Sequence, residues 1–313
     1  MIRYLVTLLA LTLFSALFAA EEPITLKTST GNVCGRLMTP DSEGPYPVVL
    51  IIAGSGPTDM NGNSIGSEFH CNSLKMLAEG LAAKGIASVR YDKRGIGESI
   101  MAGIKEENLR FEHYIEDAIA WTEMLKNDAR FNRVAIAGHS EGSLIGMVAS
   151  TRSSAVNAYI SIAGAGRPAY ELLEEQLQRQ PEQVLREANS INNELREGRM
   201  VDDIPPHLAS LYRKSVQPYL ISWFRYNPAE EIKKVKCPVL IVQGDKDIQV
   251  PVKDAEKLYA ARIFSSYRVI KDMNHVLKHC ESLEMIIQLE TYKSPEMPIK
   301  AMLTEIVTAF IKQ

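Results

Sequence analysis

The pentapeptide GHSEG at 138–142 constrains the fold of this chain more than any other feature. It fits the pattern G-x-S-x-G and lies between an apolar run, 134–137, and a helix-like segment, 143–151. In the order strand, sharp turn, helix, a serine at the tip of the turn has a strained backbone and projects its Oγ from the top of a sheet. We therefore predict that Ser140 is a nucleophile; the alternative is a tight structural turn.

The chain around this turn alternates short apolar runs with longer amphipathic stretches. The predicted strands are 23–27, 33–38, 47–53, 86–91, 134–137, 158–163, 239–243 and 267–270. The predicted helices between and after them are 73–84, 111–126, 140–152, 252–262 and 302–311. Such alternation predicts an α/β protein with a mostly parallel central sheet and helices on both faces. The first two runs have no helix between them, so we expect an antiparallel hairpin at one edge of the sheet.

One region interrupts this alternation. Segment 167–229 has no predicted strand, and its charge-rich helical sequence is broken by several prolines. We interpret it as a helical cap inserted into a core formed by 21–166 and 230–313, and call it the cap segment. Near its end, Trp223, Phe224 and Tyr226 are candidates either for the lining of a substrate pocket or for anchoring the cap segment on the sheet.

A serine nucleophile requires a histidine base, and the base requires an acid that fixes its tautomer. Both are expected in loops at the carboxyl ends of strands, where the serine points. The loop after strand 239–243 contains Asp245 and Asp247. We favour Asp247 as the acid, because it lies three residues beyond Gly244 and before Val250 and Pro251, which suits a loop that turns its carboxylate inward. Asp245 is more simply a turn former or a cap.

The predicted base is His275, which lies in the loop after the next strand. The chain order Ser140, Asp247, His275 is one of the known orders for this geometry. His279 is a weaker rival. His139 adjoins the serine and cannot swing its ring back onto Oγ, so we expect it to pack beside the turn.

Stabilisation of an oxyanion requires two backbone N–H donors. The Glu141 amide, directly after the serine, is one candidate. The loop after strand 47–53 supplies the other through its small residues, with the Ser55 N–H as first choice and the Gly56 N–H as second. The Glu141 side chain either shapes the charge of the pocket or faces away from it.

Composition excludes some functions and leaves others open. The chain has 313 residues with 35 Lys and Arg against 38 Asp and Glu, a net charge of −3, and no dense basic run, so nucleic acid is not an expected partner. Its four cysteines, Cys34, Cys71, Cys237 and Cys280, show no C-x-x-C spacing. We therefore expect no metal site, and either one disulfide or free thiols. Oligomeric state is not encoded in any pattern of this sequence.

The first twenty residues differ from the rest. Arg3 precedes an apolar stretch, 4–20, followed by two glutamates and Pro23. This order is typical of a secretory signal peptide, although the stretch is also long enough to serve as a membrane anchor. In either case we expect export to the periplasm or the exterior.

With these motifs in place, the chain resembles the α/β-hydrolase family from about residue 33 to its C-terminus. The resemblance depends on AGSGPTD at 53–59, YDKRGIGES at 91–99, GHSEG at 138–142 and the loops of Asp247 and His275. Within the family it is most similar to secreted bacterial esterases related to acylaminoacyl peptidases and dienelactone hydrolases. The chain departs from many members at Ala53, where they place a histidine. The resemblance implies that 91–99 is a structural loop near the site.

The expected function is that of a serine hydrolase that cleaves carboxylic esters of small to medium acyl groups, without a cofactor, through an acyl-enzyme on Ser140. A peptidase or an acyltransferase that uses the same three residues is the near alternative. A catalytically inactive envelope binding protein is the alternative from another class.

Overall fold

The computed structural model describes residues 20–178 and 180–313. The segment predicted to be a signal peptide or anchor, residues 1–20, lies outside the described residues except for its last member. Within the described ranges no helix is both long enough and apolar enough to cross a membrane.

Eight strands form one sheet, and all eight predicted strands are present with ends that differ by at most three residues from the prediction. Their bounds are β1 Ala20–Thr28, β2 Gly31–Thr39, β3 Tyr46–Ile52, β4 Ala87–Tyr91, β5 Phe131–His139, β6 Ala158–Ile162, β7 Val239–Gly244 and β8 Ser266–Ile270. The order across the sheet is β1-β2-β4-β3-β5-β6-β7-β8. β1 pairs antiparallel with β2, and β2 with β4, whereas the other pairs are parallel. The prediction of a mostly parallel sheet with an antiparallel hairpin at one edge is confirmed.

Helices cover both faces of the sheet. Their bounds are α1 Ser73–Ala82, α2 Phe111–Lys126, α3 Glu141–Arg152, α4 Ala169–Leu177, α5 Glu182–Arg196, α6 Ala209–Tyr212, α7 Gln217–Phe224, α8 Pro228–Glu231, α9 Val252–Ala261, α10 Met285–Tyr292 and α11 Ala301–Ile311. The five helices predicted individually correspond to α1, α2, α3, α9 and α11. Helix α10 was not predicted, and α4 to α8 lie between β6 and β7, where the sequence indicated helices without a strand. The division of the chain into core and cap segment stays a prediction.

The central strands are buried on both sides, which explains why they are mostly apolar. Every residue of β4, β6 and β7 is buried. One hydrophobic cluster packs between the sheet, α2, α3 and the cap segment, and a second between the opposite face, α1 and α11. In the sheet, β3 lies between β4 and β5. The chain therefore leaves β3 toward one side of the sheet and leaves β5 toward the other, so that the loops after these two strands diverge and leave a crevice between them. This topological switch point is where open α/β sheets bind ligands.

Candidate active site

Ser140 lies directly after β5, at the switch point, in the strained conformation that the pentapeptide predicted. Its φ is 55° and its ψ is −121°, values that a non-glycine residue rarely adopts. A Cβ on Gly138 would lie 2.1 Å from the carbonyl oxygen of Gly142, and one on Gly142 would lie 2.3 Å from that of Ile52. Both glycines are therefore required by backbone contact. The Ser140 amide donates to the Ile162 carbonyl at 3.0 Å and joins the turn to β6.

The loops after β7 and β8 bring Asp247 and His275 together. His275 Nδ1 lies 2.8 Å from Asp247 Oδ2, and both side chains are almost fully buried. Asp247 also accepts from the amides of Gln249 and Val250 at 2.8 and 2.9 Å, and from Gln243 Nε2 at 2.9 Å. Since an ionised carboxylate only accepts hydrogen bonds, the proton of the pair belongs to Nδ1, which leaves Nε2 as the basic nitrogen.

Ser140 and His275 line the same cavity, which has a volume of about 130 Å³ and also contacts Ser55 and Tyr292. Among the described residues, Ser140 Oγ and the His275 ring do not form a hydrogen bond. In the absence of substrate such catalytic contacts are often long and shorten only in the substrate complex. The structure thus places Ser140 and His275 on one cavity, with Asp247 buried against His275 and the acid–base contact already made.

The rival residues have other partners. Asp245 accepts from the Asp272 amide at 2.6 Å and fixes the turn after β8. His279 is exposed and lies 3.5 Å from Glu281. His139 Nε2 donates to the carbonyl oxygen of His275 at 2.8 Å, so this ring supports the backbone of the predicted base. Burial lowers the pKa of His139 to about 4, which keeps its ring neutral.

The loop after β3 approaches Ser140 closely, as an oxyanion loop must. A Cβ on Gly54 would lie 3.1 Å from Ser140 Cβ, whereas one on Gly56 would meet nothing within 4 Å. Ser55 lines two cavities together with Ser140. Neither the Ser55 amide nor the Glu141 amide donates to a protein acceptor among the described residues. These two amides are thus available to a ligand, and their role as oxyanion donors stays a prediction.

Hydrogen bonds within the loop hold it in place. Asp59 Oδ1 accepts from the amides of Asn61 and Asn63, each at 2.8 Å. Asn63 Oδ1 accepts from the amides of Cys71 and Asn72, also at 2.8 Å. The backbone of this loop is therefore held by side chains of the loop itself.

Sequence reasoning missed a buried polar cluster behind the two amides. Lys93, directly after β4 and Asp92, donates from Nζ to the Gly54 carbonyl at 2.6 Å and to Glu141 Oε2 at 2.7 Å. The Tyr219 hydroxyl of α7 donates to Glu141 Oε1. The side chains of Lys93 and Glu141 are 1% and 2% exposed, and both oxygens of the Glu141 carboxylate are bonded within this cluster, which borders a cavity of about 500 Å³. Both residues lie within motifs that the sequence singled out, but no spacing rule pairs them.

Of the three aromatic residues predicted at the pocket, the structure places one there. Trp223 lines a cavity of about 70 Å³ beside Ser140 and also a neighbouring cavity of about 500 Å³. Phe224 packs edge-on against Tyr170, with ring centroids 5.6 Å apart. The Tyr226 hydroxyl lies 3.1 Å from a carboxylate oxygen of Glu112. Phe224 thus packs within the cap segment, because Tyr170 belongs to α4, whereas Tyr226 contacts α2 outside the cap segment, as the anchoring alternative expects.

No group of three or more His, Cys, Asp or Glu side chains is placed to hold a metal ion within 20–178 and 180–313. The four cysteines are free thiols.

Comparison with known proteins supports the fold and similarity to hydrolases. The family model described as "Serine aminopeptidase, S33" matches residues 66–219. Esterase EstD of Thermotoga maritima is 32% identical over 257 residues, which cover 78% of this chain. The match covers 57% of EstD, so this chain spans little more than half the length of that relative.

Solved structures with the same fold include both esterases and a peptidase. Est1E of Butyrivibrio proteoclasticus, solved with ferulic acid bound, has a TM-score of 0.62 at 19% identity, covering 93% of this chain and 100% of Est1E. A puromycin-hydrolysing peptidase of Mycobacterium tuberculosis has a TM-score of 0.57 at 18% identity, covering 96% of this chain and 40% of the peptidase. At these identities the likeness shows the fold alone.

Proposed function

This chain belongs to the α/β-hydrolase family, and from that premise we propose that it is a serine carboxylic-ester hydrolase that forms an acyl-enzyme on Ser140. One observation carries the proposal: His275, which is bonded to the buried Asp247, lines the same cavity as Ser140, whose backbone is strained. Two backbone amides without protein acceptors lie beside that serine. The similarity to esterase EstD supports ester substrates.

The geometry assigns each group a step. His275 Nε2 removes the proton of Ser140 as Oγ attacks the acyl carbon, and Asp247 remains charged and stabilises the imidazolium. The Ser55 and Glu141 amides donate to the oxyanion, and each such donor contributes roughly 10²–10³ in rate. His275 then protonates the leaving alcohol, and later activates the water that releases the acid.

The positions of the two cavities suggest which half of the ester each one holds. The leaving oxygen must lie near His275, so the alcohol is expected in the 130 Å³ cavity that this residue lines. The acyl group then occupies the 70 Å³ cavity lined by Leu144, Leu172 and Trp223. A cavity of about 150 Å³ holds benzene, with six carbon atoms. The smaller cavity therefore fits short acyl groups, from acetyl to butyryl.

The peptidase alternative is favoured by the description of the matching family model. An aminopeptidase must bind the protonated amine of its substrate, which requires an available carboxylate near the nucleophile. The carboxylate next to Ser140 belongs to Glu141, and Lys93 and Tyr219 already occupy its oxygens. This arrangement favours a neutral ester over a peptide with a free amino terminus.

The test compares p-nitrophenyl acetate and butyrate with aminoacyl p-nitroanilides, using the wild-type protein and Ser140→Ala. We expect ester hydrolysis that falls by roughly 10⁴-fold or more in Ser140→Ala, because the nucleophile, base and acid act as a unit. Faster hydrolysis of anilides than of esters would instead establish the peptidase. Failure of the folded wild-type protein to react with a fluorophosphonate probe would favour the inactive binding protein, and alcohol acceptors that divert the acyl group from water would favour the acyltransferase.

We also propose that the protein is exported. The apolar stretch 4–20 after Arg3 supports this proposal. Expression of the full chain in a bacterium, followed by fractionation and N-terminal mass analysis, distinguishes a processed periplasmic protein from an anchored one. Full-length protein in the cytosolic fraction would refute export.

A further inference from the structure

A buried ammonium group lies directly behind the oxyanion loop, and the mechanism above gives it no task. Lys93 Nζ lies 2.6 Å from the Gly54 carbonyl oxygen and 2.7 Å from Glu141 Oε2. The Tyr114 ring covers it, with its centroid 5.0 Å from Nζ. Since the side chain is 1% exposed, these contacts are screened much less than those of a surface lysine.

The first contact acts on a predicted oxyanion donor through a single peptide group. The carbonyl of Gly54 and the N–H of Ser55 belong to the same planar trans peptide, in which they point in opposite directions. An ammonium that holds the carbonyl oxygen on one side therefore fixes the direction of the N–H on the other side. A hydrogen bond to the carbonyl also polarises the peptide and makes its N–H a stronger donor.

The second contact acts on the other predicted donor. Glu141 supplies its backbone N–H to the site, and Lys93 and Tyr219 hold its side chain. The same ammonium thus bonds Gly54, whose peptide carries the Ser55 N–H, and Glu141, which carries the second N–H. Its contacts join the loop after β3 to the first turn of α3.

We propose that Lys93 is a positioning residue for the oxyanion hole, which aligns and polarises the Ser55 N–H through Gly54 and fixes the Glu141 N–H through the Glu141 carboxylate. This inference rests on the proposed function, since it assigns Lys93 a part in the same acyl transfer. Its effect belongs to the transition state, because the charge on the substrate oxygen develops only there.

The decisive variant is Lys93→Met combined with Glu141→Gln. Lys93→Met alone leaves a buried carboxylate without its cation and is expected to fold poorly. The double variant removes both charges, keeps the side-chain lengths, and leaves the backbone amides in the chain. Arg90→Met is the matched control: Arg90 is a buried cation near the end of β4, the strand that precedes Lys93, and it bonds Glu21 and Asn61 rather than Gly54.

We expect kcat of the double variant for p-nitrophenyl butyrate to fall roughly 10- to 100-fold, part of the effect of deleting a donor, with KM within about threefold of wild type. Inhibition by a boronic acid, which forms a tetrahedral adduct with the serine, should weaken in proportion to kcat. Each kcat is calculated per active site, with the concentration of sites measured by fluorophosphonate labelling, so that misfolded protein does not lower the value. Arg90→Met should keep the wild-type kcat by this measure.

A double variant with wild-type kcat per labelled site overturns the inference, as does a loss confined to KM or an equal loss in Arg90→Met. These results leave the proposed function intact, since the wild-type protein remains an active, labelled esterase. A wild-type protein that neither hydrolyses esters nor reacts with the probe refutes the proposed function itself.

Discussion

The turn around Ser140 and the cap segment are held in place in different ways. Ten of the twelve residues of α3 are buried, and backbone contacts leave no room for a Cβ at either glycine of the pentapeptide. In α5 only four of fifteen residues are buried, and in α4 only Ala169. The chemistry therefore depends on a region fixed by its backbone, whereas the wall of the acyl cavity comes partly from a region held by side chains.

Buried polar contacts join the cap segment to the Ser140 turn and to α2. The Tyr219 hydroxyl of the cap segment donates to Glu141, and the Phe111 amide of α2 donates to Ser222 Oγ at 2.8 Å. Stacking of Trp223 on Phe111, with centroids 5.9 Å apart, adds an apolar contact. Variants in the first region should hence change the rate or the fold, and variants in the second should change substrate selection.

The same Gly→Ala substitution in both regions gives the largest expected contrast. In Gly142→Ala the new methyl would lie 2.3 Å from the Ile52 carbonyl oxygen. We expect a loss of about 3 kcal/mol or more in the free energy of unfolding, and a fall in kcat of over 100-fold as Ser140 is displaced. Gly198→Ala in the cap segment meets nothing within 4 Å, but Gly198 has φ of 76°, so we expect a loss of only about 1 kcal/mol and an unchanged kcat.

Urea denaturation and kinetics on p-nitrophenyl butyrate measure both variants. Equal losses in the free energy of unfolding for Gly142→Ala and Gly198→Ala would mean that the turn around Ser140 is no more constrained than the cap segment. The contrast between the two regions would then be refuted.

The same contrast explains what the sequence could and could not predict. The strands and the loops of Ser140, Asp247 and His275 were predictable, because continuous apolar runs, glycine spacing and chain order are local signals. The pairing of Lys93 with Glu141 was not, since it joins side chains 48 positions apart, one in the loop after β4 and the other in the first turn of α3. Helix α10 escaped prediction because its first apolar residues face solvent; Met285 is 46% exposed and Ile286 73%.

The lining of the cavities was equally beyond the sequence. Trp223 and Phe224 are neighbours of similar character, and only the rotation of α7 places the first at the cavity and the second against Tyr170. An aromatic pattern indicates burial without showing on which side each ring lies.

His139 provides a test by pH within the first region. Burial lowers its pKa from 6.5 to about 4, so between these values the unfolded chain binds a proton that the folded chain does not. The contribution of the neutral His139 ring to the free energy of unfolding is therefore fully present above about pH 6.5. It is lost as the pH falls toward 4. The shift corresponds to roughly 3 kcal/mol.

In His139→Gln, the amide can still donate to the carbonyl of His275 but does not titrate. On lowering the pH from 7 to 4.5, we expect the variant to lose roughly 2–3 kcal/mol less of its free energy of unfolding than wild type, as measured by urea denaturation. Parallel stability curves for the two proteins would show that the protonation of His139 is not coupled to folding.

Trp223 provides the smallest expected effect and tests the second region. Its ring borders both the 70 Å³ cavity and the 500 Å³ cavity, so that Trp223→Ala should join them. We expect the ratio of kcat/KM for p-nitrophenyl octanoate to that for the acetate to rise about tenfold, since burying a few more methylene groups gains only a few kcal/mol at most. Phe224→Ala is the matched control, because its ring packs on Tyr170, and it should reduce stability without changing this ratio. The same change in this ratio for both variants would mean that loosening of α7, rather than the ring of Trp223, determines the preferred acyl length. The cap segment would then select substrates by its mobility instead of its shape.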